Sequence, residues 1–368
     1  MRGLTFAGWV AIAAMLMAPS IRQPPFDPMP SLPVEVRQAS PGFSVMTYNV
    51  KGLPWPAASG RGNALAEIGG RLAQMRASGN APDVVLLQEA FSDDAKAIGA
   101  AAGYRHVMLG PQSAPAGGLP PLGQAYAASA RRDRGEGLGT VLDSGLVILS
   151  DYPIVRTDRI AFPQGACAGF DCLAAKGVMI AWIALPGFDR PVAFANTHLN
   201  SRRSTHVALE RADAAHGWQI QELQRLIAGS VSPATPIVFG GDFNVGRVGT
   251  RMAGFAASPP LGESQKDAMA MLLPNAEVDT GSRAEEASIV RRYKDMILFR
   301  DDDSAGKRIV PQHAFVPFPY ATAGSPLSDH AGFVVRFASS NASRPGYRSQ
   351  PEIVPSLAGD NFAAQDAR

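Results

Sequence analysis

The stretch Pro236-Ile-Val-Phe-Gly-Gly-Asp-Phe-Asn-Val245 opens with a short apolar run, Ile237 to Phe239, stops at two glycines, and then places Asp242 and Asn244 two apart. Side chains of this kind over so short a run describe a buried strand. Because residues i and i+2 of a strand share a face, the carboxylate and the amide emerge together at the rim of a sheet. Open α/β folds place their chemistry at that rim. An acid beside an amide suits a hard cation or a phosphoryl oxygen. An ordinary turn competes as the explanation, since Gly, Asp and Asn favour turns. The rest of the chain decides between them.

The chain has 368 residues, 46% of them hydrophobic, which is enough for one large layered domain or two average ones. Lys and Arg number 34 against 32 Asp and Glu, a net charge of +2. The basic cluster Arg131-Arg132-Asp133-Arg134 is short and interrupted. Broad electrostatic attachment to DNA therefore has little support, although a nuclease is not excluded. At the N-terminus, Arg2 precedes an apolar run from Leu4 to Met17, followed by Ala18-Pro19-Ser20. That layout predicts a signal peptide over 1–18 and a secreted or periplasmic protein, with an uncleaved membrane anchor as the alternative. Residues 19–41 form a Pro-rich linker, 42–338 the folded domain, and 339–368 a tail without an apolar face that is expected to be disordered. In an exported chain the two cysteines, Cys167 and Cys172, are expected to close a small disulfide loop.

Strand-like runs end on, or carry, a restricted set of polar residues. Phe43 to Asn49 ends on Asn49, and Asp83 to Gln88 is followed at once by Glu89. A helix cap is the other explanation of Glu89, because Ser92-Asp93-Asp94 resembles a helix start. Gly145 to Leu149 forms a further strand, and Val178 to Leu185 with Val192 to Ala195 form an antiparallel hairpin that leads into His198. Arg292 to Phe299 is expected as a strand with Asp295 embedded in it, and Asp329 and His330 precede the strand from Gly332 to Phe337. Helices are expected at Leu65, Ile68, Leu72 and Met75, at Trp218 to Ile227, and over Leu261 to Leu273. Gly110 to Gly139 is expected as a long surface loop, and His206 on the helix after His198. Six polar strand ends suggest one assembled site, with carboxylates for a divalent cation, imidazoles for proton transfer and amides for orientation.

Met46-Thr-Tyr-Asn-Val50, Leu87-Gln-Glu89, Asn196-Thr-His198, Gly241-Asp-Phe-Asn244, Lys294-Asp-Met-Ile-Leu298 and Ser328-Asp-His330 occur in one order. Together they resemble the endonuclease/exonuclease/phosphatase superfamily. The resemblance implies an α/β fold, a four-layer αββα sandwich of two mixed β-sheets with outer helices, as in DNase I. It also implies Mg²⁺-dependent hydrolysis of a phosphate ester. By position, Glu89 and Asn49 would hold the metal, with Asp329 near it. His330 would be the general base, oriented by Asp295; Asp242 and Asn244 would position water and phosphate, and His198 would stabilise the transition state.

Within the superfamily, Asn49-Val-Lys-Gly-Leu-Pro54 and Asp171-Cys-Leu-Ala-Ala-Lys-Gly177 resemble segments of neutral sphingomyelinases. That resemblance makes Asp171 and Lys176 candidate substrate-binding or switch residues, against the alternative of a solvated surface loop. It implies a phospholipid substrate at a membrane surface and no protein partner. The loops Leu53-Pro-Trp55-Pro and Phe315-Val-Pro-Phe-Pro-Tyr320 are candidate membrane contacts. An exported nuclease using the same residues, with nucleic acid as partner, and a non-catalytic binding module are the competing functions.

Overall fold

The computed structural model describes residues 42–116, 121–188, 190–274, 283–301, 307–321 and 324–341. The expected leader, the Pro-rich linker and the tail beyond Asn341 lie outside these residues.

The chain builds one sheet, then a second, and returns to the first. Strands β1 (Gly42–Asn49), β2 (Val84–Gln88), β3 (His106–Leu109) and β4 (Val147–Ser150) come first. The second sheet follows as β5 (Ile154–Ala161), β6 (Gly177–Ile183), β7 (Val192–His198), β8 (Ile237–Asp242), β9 (Lys266–Asp267) and β10 (Asp295–Arg300). Finally β11 (Lys307–Phe318) and β12 (Gly332–Asn341) close the first sheet. The spatial orders are β11-β12-β1-β2-β4-β3 and β5-β6-β7-β8-β10-β9. In each sheet the two central strands, β1 with β2 and β7 with β8, run parallel and the other pairs antiparallel, so both sheets are mixed. The helices are α1 (Gly62–Ala77), α2 (Asp93–Lys96), α3 (Ile98–Ala101), α4 (Gln124–Ala128), α5 (Leu209–Ser230), α6 (Gly249–Ala257), α7 (Ala268–Leu272) and α8 (Arg283–Arg292).

Strand alternation sorts the apolar side chains into three layers. Phe43, Val45, Val84 and Leu86 face Phe194, Val238 and Ile297 between the sheets. Their neighbours Met46, Tyr48, Val85 and Leu87 turn outward against Leu65, Ile68 and Leu72 of α1. On the far side Ala193, Ala195, Ile237 and Phe239 pack on Ile220, Leu223 and Ile227 of α5. The result is the expected four-layer α/β sandwich, helix on sheet on sheet on helix. The paired glycines of β8 serve two different contacts. A Cβ on Gly240 would lie 2.6 Å from Leu86 across the sheets, and one on Gly241 would lie 2.3 Å from the Thr197 carbonyl in the neighbouring strand.

Several local expectations are corrected. Residues 292–294 are not strand: α8 ends at Arg292, and Asp295 is the first residue of β10. Gly110 to Gly139 includes α4 and a short 3₁₀ turn at Arg132–Arg134. In Leu261 to Leu273 only α7 is helical, started by the Asp267 carboxylate, which accepts from Met269 N and Ala270 N. The last strand continues past 338 to Asn341, paired with Lys307. His206 sits in the loop before α5 rather than on a helix. Phe318 is buried and stacks on Tyr48 at 4.9 Å, so that aromatic segment packs inward; Trp55, 68% exposed, does face solvent.

Candidate active site

The period of two that buries the core also delivers the polar residues. Phe43 and Val45 face the other sheet, so Asn49 does too; Val84 and Leu86 carry Gln88 with them. By the same step Val192 and Phe194 bring His198, Val238 brings Asp242, and Phe299 and Ile297 bring Asp295. Register places Asn49 beside Gln88, and both His198 and Asp295 beside Asp242. All of these polar ends meet at one end of the sandwich. Glu89 and Asn244, just beyond their strands, have φ of 53° and 50°, a left-handed conformation more costly for Glu than for Asn.

Asp242 is the centre of the group. Its Oδ2 accepts from Asn49 Nδ2 at 3.2 Å and lies 3.6 Å from His330 Nε2 and 3.7 Å from His198 Nε2; its Oδ1 accepts from Asn244 N at 3.0 Å. Burial is the strongest single influence and opposes its ionisation, but His330, His198, Lys294 and the Asn49 hydrogen bond together outweigh it and hold the carboxyl well below the usual range. Asp295 grips His330 Nδ1 through both oxygens, at 2.9 and 2.8 Å. Burial works against a charged His330, yet Asp295 and Asp242 together raise its pKa to about 9. Burial pushes Asp295 up, against the pull of His330 and with the neighbouring Asp242 carboxylate adding to the rise, so the two groups titrate as one unit. Burial lowers His198 to about 4, with the Lys176 ammonium adding to the effect, and leaves a neutral ring. Buried acid, imidazole and amide converge here as a centre able to hold and move protons.

The model of the Endonuclease/Exonuclease/phosphatase family matches residues 46–330. The chain belongs to this family. No curated protein matches it. Among solved structures, it is similar to sphingomyelinase C from Streptomyces griseocarneus, 21% identical, covering 81% of this chain and 99% of that one with a TM-score of 0.50. A beta toxin mutant from Staphylococcus aureus with bound magnesium ions is 18% identical, covering 81% and 100%, TM-score 0.51. D. rerio TDP2 complexed with a single strand DNA product is 17% identical, covering 80% and 98%, TM-score 0.52. At these identities the likeness establishes the shared fold.

Members of this family are metal-dependent, and two places here have suitable donors. Asp242, Asp295 and His330 lie close enough together to hold a cation. The His330–Asp295 pair already satisfies itself, however, which leaves Asp242 alone in that group. Glu89 fits better. Burial pushes its pKa up, its hydrogen-bond donor is the neutral Asn49 amide at 3.0 Å, and it has no ion-pair partner among the described residues. A buried anion without a compensating cation is costly unless a metal supplies the charge. The helix-cap explanation of Glu89 fails, because the Ser92 hydroxyl caps α2. Asp329 is placed less centrally: its half-exposed carboxylate pairs with Lys51 Nζ at 3.2 Å.

Asp171 and Lys176 do form a pair, 2.9 Å apart, with the Lys176 side chain only 5% exposed. This excludes a solvated surface lysine. Lys176 Nζ also donates to the Leu199 carbonyl at 3.0 Å, and Asp171 accepts from Ser201 N at 2.6 Å, so the pair is fastened to the segment following His198. The Cys167–Cys172 disulfide closes the loop that carries Asp171. Sequence inspection passed over four supports. Gln88 Nε2 donates to Asn196 Oδ1 at 2.8 Å and bridges the two sheets beneath the site. Arg61 donates to the carbonyls of Val50, Lys51 and Leu327, tying the segment after Asn49 to that before His330. Glu136 accepts from Gly169 N, Arg131 N and Arg211 under the disulfide loop. Arg251 is the fourth. Gln88 and Asn196 lie inside the quoted motifs; the charged three carry no periodic or spacing signal.

Proposed function

We propose that the protein is an exported Mg²⁺-dependent phosphodiesterase that releases the phosphorylated head group of a sphingomyelin-like phospholipid at a membrane surface. The observation that carries this reading is the Glu89 carboxylate, half-buried and without an ion-pair partner among the described residues, beside the Asp295–His330 pair. Glu89, with Asn49 next to it, would hold the cation, which supplies Lewis-acid stabilisation of the phosphate. His330 takes the proton of the attacking water at Nε2, the ring nitrogen that Asp295 leaves free. It does so as the neutral ring, a form that positive charge held at Glu89 favours. The water oxygen bonds to phosphorus, and the bond from phosphorus to the lipid alcohol oxygen breaks. Asp242 and Asn244 orient water and phosphate, and His198 donates a hydrogen bond as charge develops on the phosphoryl oxygens.

Support for the lipid branch is the Asp171–Lys176 contact at the edge of the site, together with a net charge of only +2. The signal-like N-terminal sequence and the disulfide support export. The nuclease reading keeps one observation in its favour: Arg203 is exposed two residues beyond Ser201, where it could meet a second phosphate. The test incubates the purified protein with sphingomyelin vesicles and with plasmid DNA, in Mg²⁺ and in EDTA. Phosphocholine release that needs Mg²⁺, without nicking, is expected. Nicking alone, falling steeply with salt, would move the protein to the nucleases.

A further inference from the structure

We propose that Arg251 is a positioning residue that fixes the segments leaving β7 and β8 relative to each other, and so aligns His198, Asp242 and Asn244. The inference rests on the phosphodiesterase reading for its kinetic consequence, not for its geometry. Arg251 projects from α6 with its side chain 1% exposed. Nε donates to Asp213 Oδ1 at 2.6 Å. Nη1 donates to the carbonyls of Asn200 at 3.0 Å and Asn244 at 2.7 Å. Nη2 reaches the carbonyls of Ser201 and Ala212, both at 3.3 Å. These contacts match the five N–H donors a guanidinium owns.

Three of the four carbonyls belong to the two segments that carry the chemistry; the fourth, of Ala212, and the Asp213 carboxylate anchor the fork to α5. Asn200 and Ser201 follow His198, and Ser201 N holds Asp171. Asn244 follows Asp242, and its own amide donates to the Leu199 carbonyl at 3.0 Å. A side chain needed only to fill space between α6 and the sheet would not need to be a planar fork. The ammonium of a lysine keeps the charge opposite Asp213 but has three donors on one atom, so it cannot span both segments. Misplacing reacting groups by about 1 Å costs roughly 100-fold in rate.

The experiment compares wild type with Arg251→Lys, using Arg71→Ala, exposed on α1 in the other helix layer, as the control. Hydrogen exchange read by mass spectrometry is expected to show residues 199–206 and 242–248 losing protection together in the lysine variant, with the C-terminal half of α5, which Arg251 does not touch, unchanged. On sphingomyelin vesicles its kcat should fall about 10- to 100-fold with KM held within about threefold. Combined with Asn244→Gly, which removes the amide while suiting the positive φ, the losses should fail to multiply. If Arg251→Lys does not fold, Asp213→Asn loosens the same fork and is expected to shift the same two segments. Wild-type exchange and kcat in either folded variant would overturn the proposal, as would losses that multiply cleanly. A wild type inactive on every phosphodiester, with the paired exchange change still present, would sink the catalytic reading and leave the positioning role standing.

Discussion

Asp295 holds His330 Nδ1 through both carboxylate oxygens, at 2.9 and 2.8 Å, across 35 residues of sequence. The contact fixes the ring and leaves Nε2 to face Asp242 at 3.6 Å. Asp295→Asn keeps the shape but offers the ring one acceptor oxygen and no charge. The variant should fold and lose about 10²–10⁴ in kcat, the usual worth of a positioned general base. A steady-state assay with Mg²⁺ checks this. Retention of full kcat would show that the grip of Asp295 on His330 does not matter to the reaction.

Glu89 sets function against stability. Its carboxyl is half-buried beside a neutral amide, and desolvation disfavours the charge it carries. Glu89→Gln should therefore raise the thermal midpoint of the metal-free protein at neutral pH while abolishing Mg²⁺-dependent turnover. The gain should be about 1–3 kcal/mol, the scale of one desolvated polar group. Titration calorimetry with Mg²⁺ should show binding to wild type and none to the variant. A variant that binds Mg²⁺ as wild type does would shift the metal to Asp242 and its neighbours.

Glu136 predicts a stability change with a defined sign. Burial works against its charge, but Arg211 and the amides of Arg131 and Gly169 win and hold its carboxyl below the ordinary 4.5. A depressed carboxyl contributes stability that is present above the unfolded value and is lost as pH falls through the folded one. Glu136→Gln should thus be less stable than wild type near pH 7, by about 3 kcal/mol for a broken buried ion pair. The gap should begin to narrow once the pH falls below the ordinary 4.5 and go on narrowing toward the lowered folded value. Urea unfolding at pH 7 and pH 3.5 makes the comparison; a gap of unchanged size at pH 3.5 would assign the loss to packing.

Period-two patterning made the polar rim legible, because the alternation that buries Val45 and Leu86 also dictates where Asn49 and Gln88 point. It failed at the edges. β3 and β5 are edge strands with partly exposed faces, and β11 carries Pro311 and bulges, so none shows a clean alternation. The residues before Asp295 gave a strand-like run, yet Tyr293 has a φ of 51°, a break that its identity does not announce. Arg61, Glu136 and Arg251 act by donating to, or accepting from, backbone groups of distant segments. That pairing exists only once the sheets have packed.

Gly241 couples the fold to the site most directly. It lies in β8 between Thr197 and Met296, one residue before Asp242. A methyl there would sit 2.3 Å from the Thr197 carbonyl, at a φ of 154° that already favours glycine. To admit it, β7 and β8 must part where His198 and Asp242 stand side by side. Gly241→Ala should cost about 1–3 kcal/mol in urea unfolding, and kcat should fall even where the variant is fully folded. Gly254, inside α6 with nothing within 4 Å of its missing Cβ, is the matched control. Gly254→Ala should raise stability by about 0.5–1 kcal/mol through helix propensity, with kcat unchanged. Equal effects at the two positions would show that the close approach of the strands is not what makes Gly241 necessary.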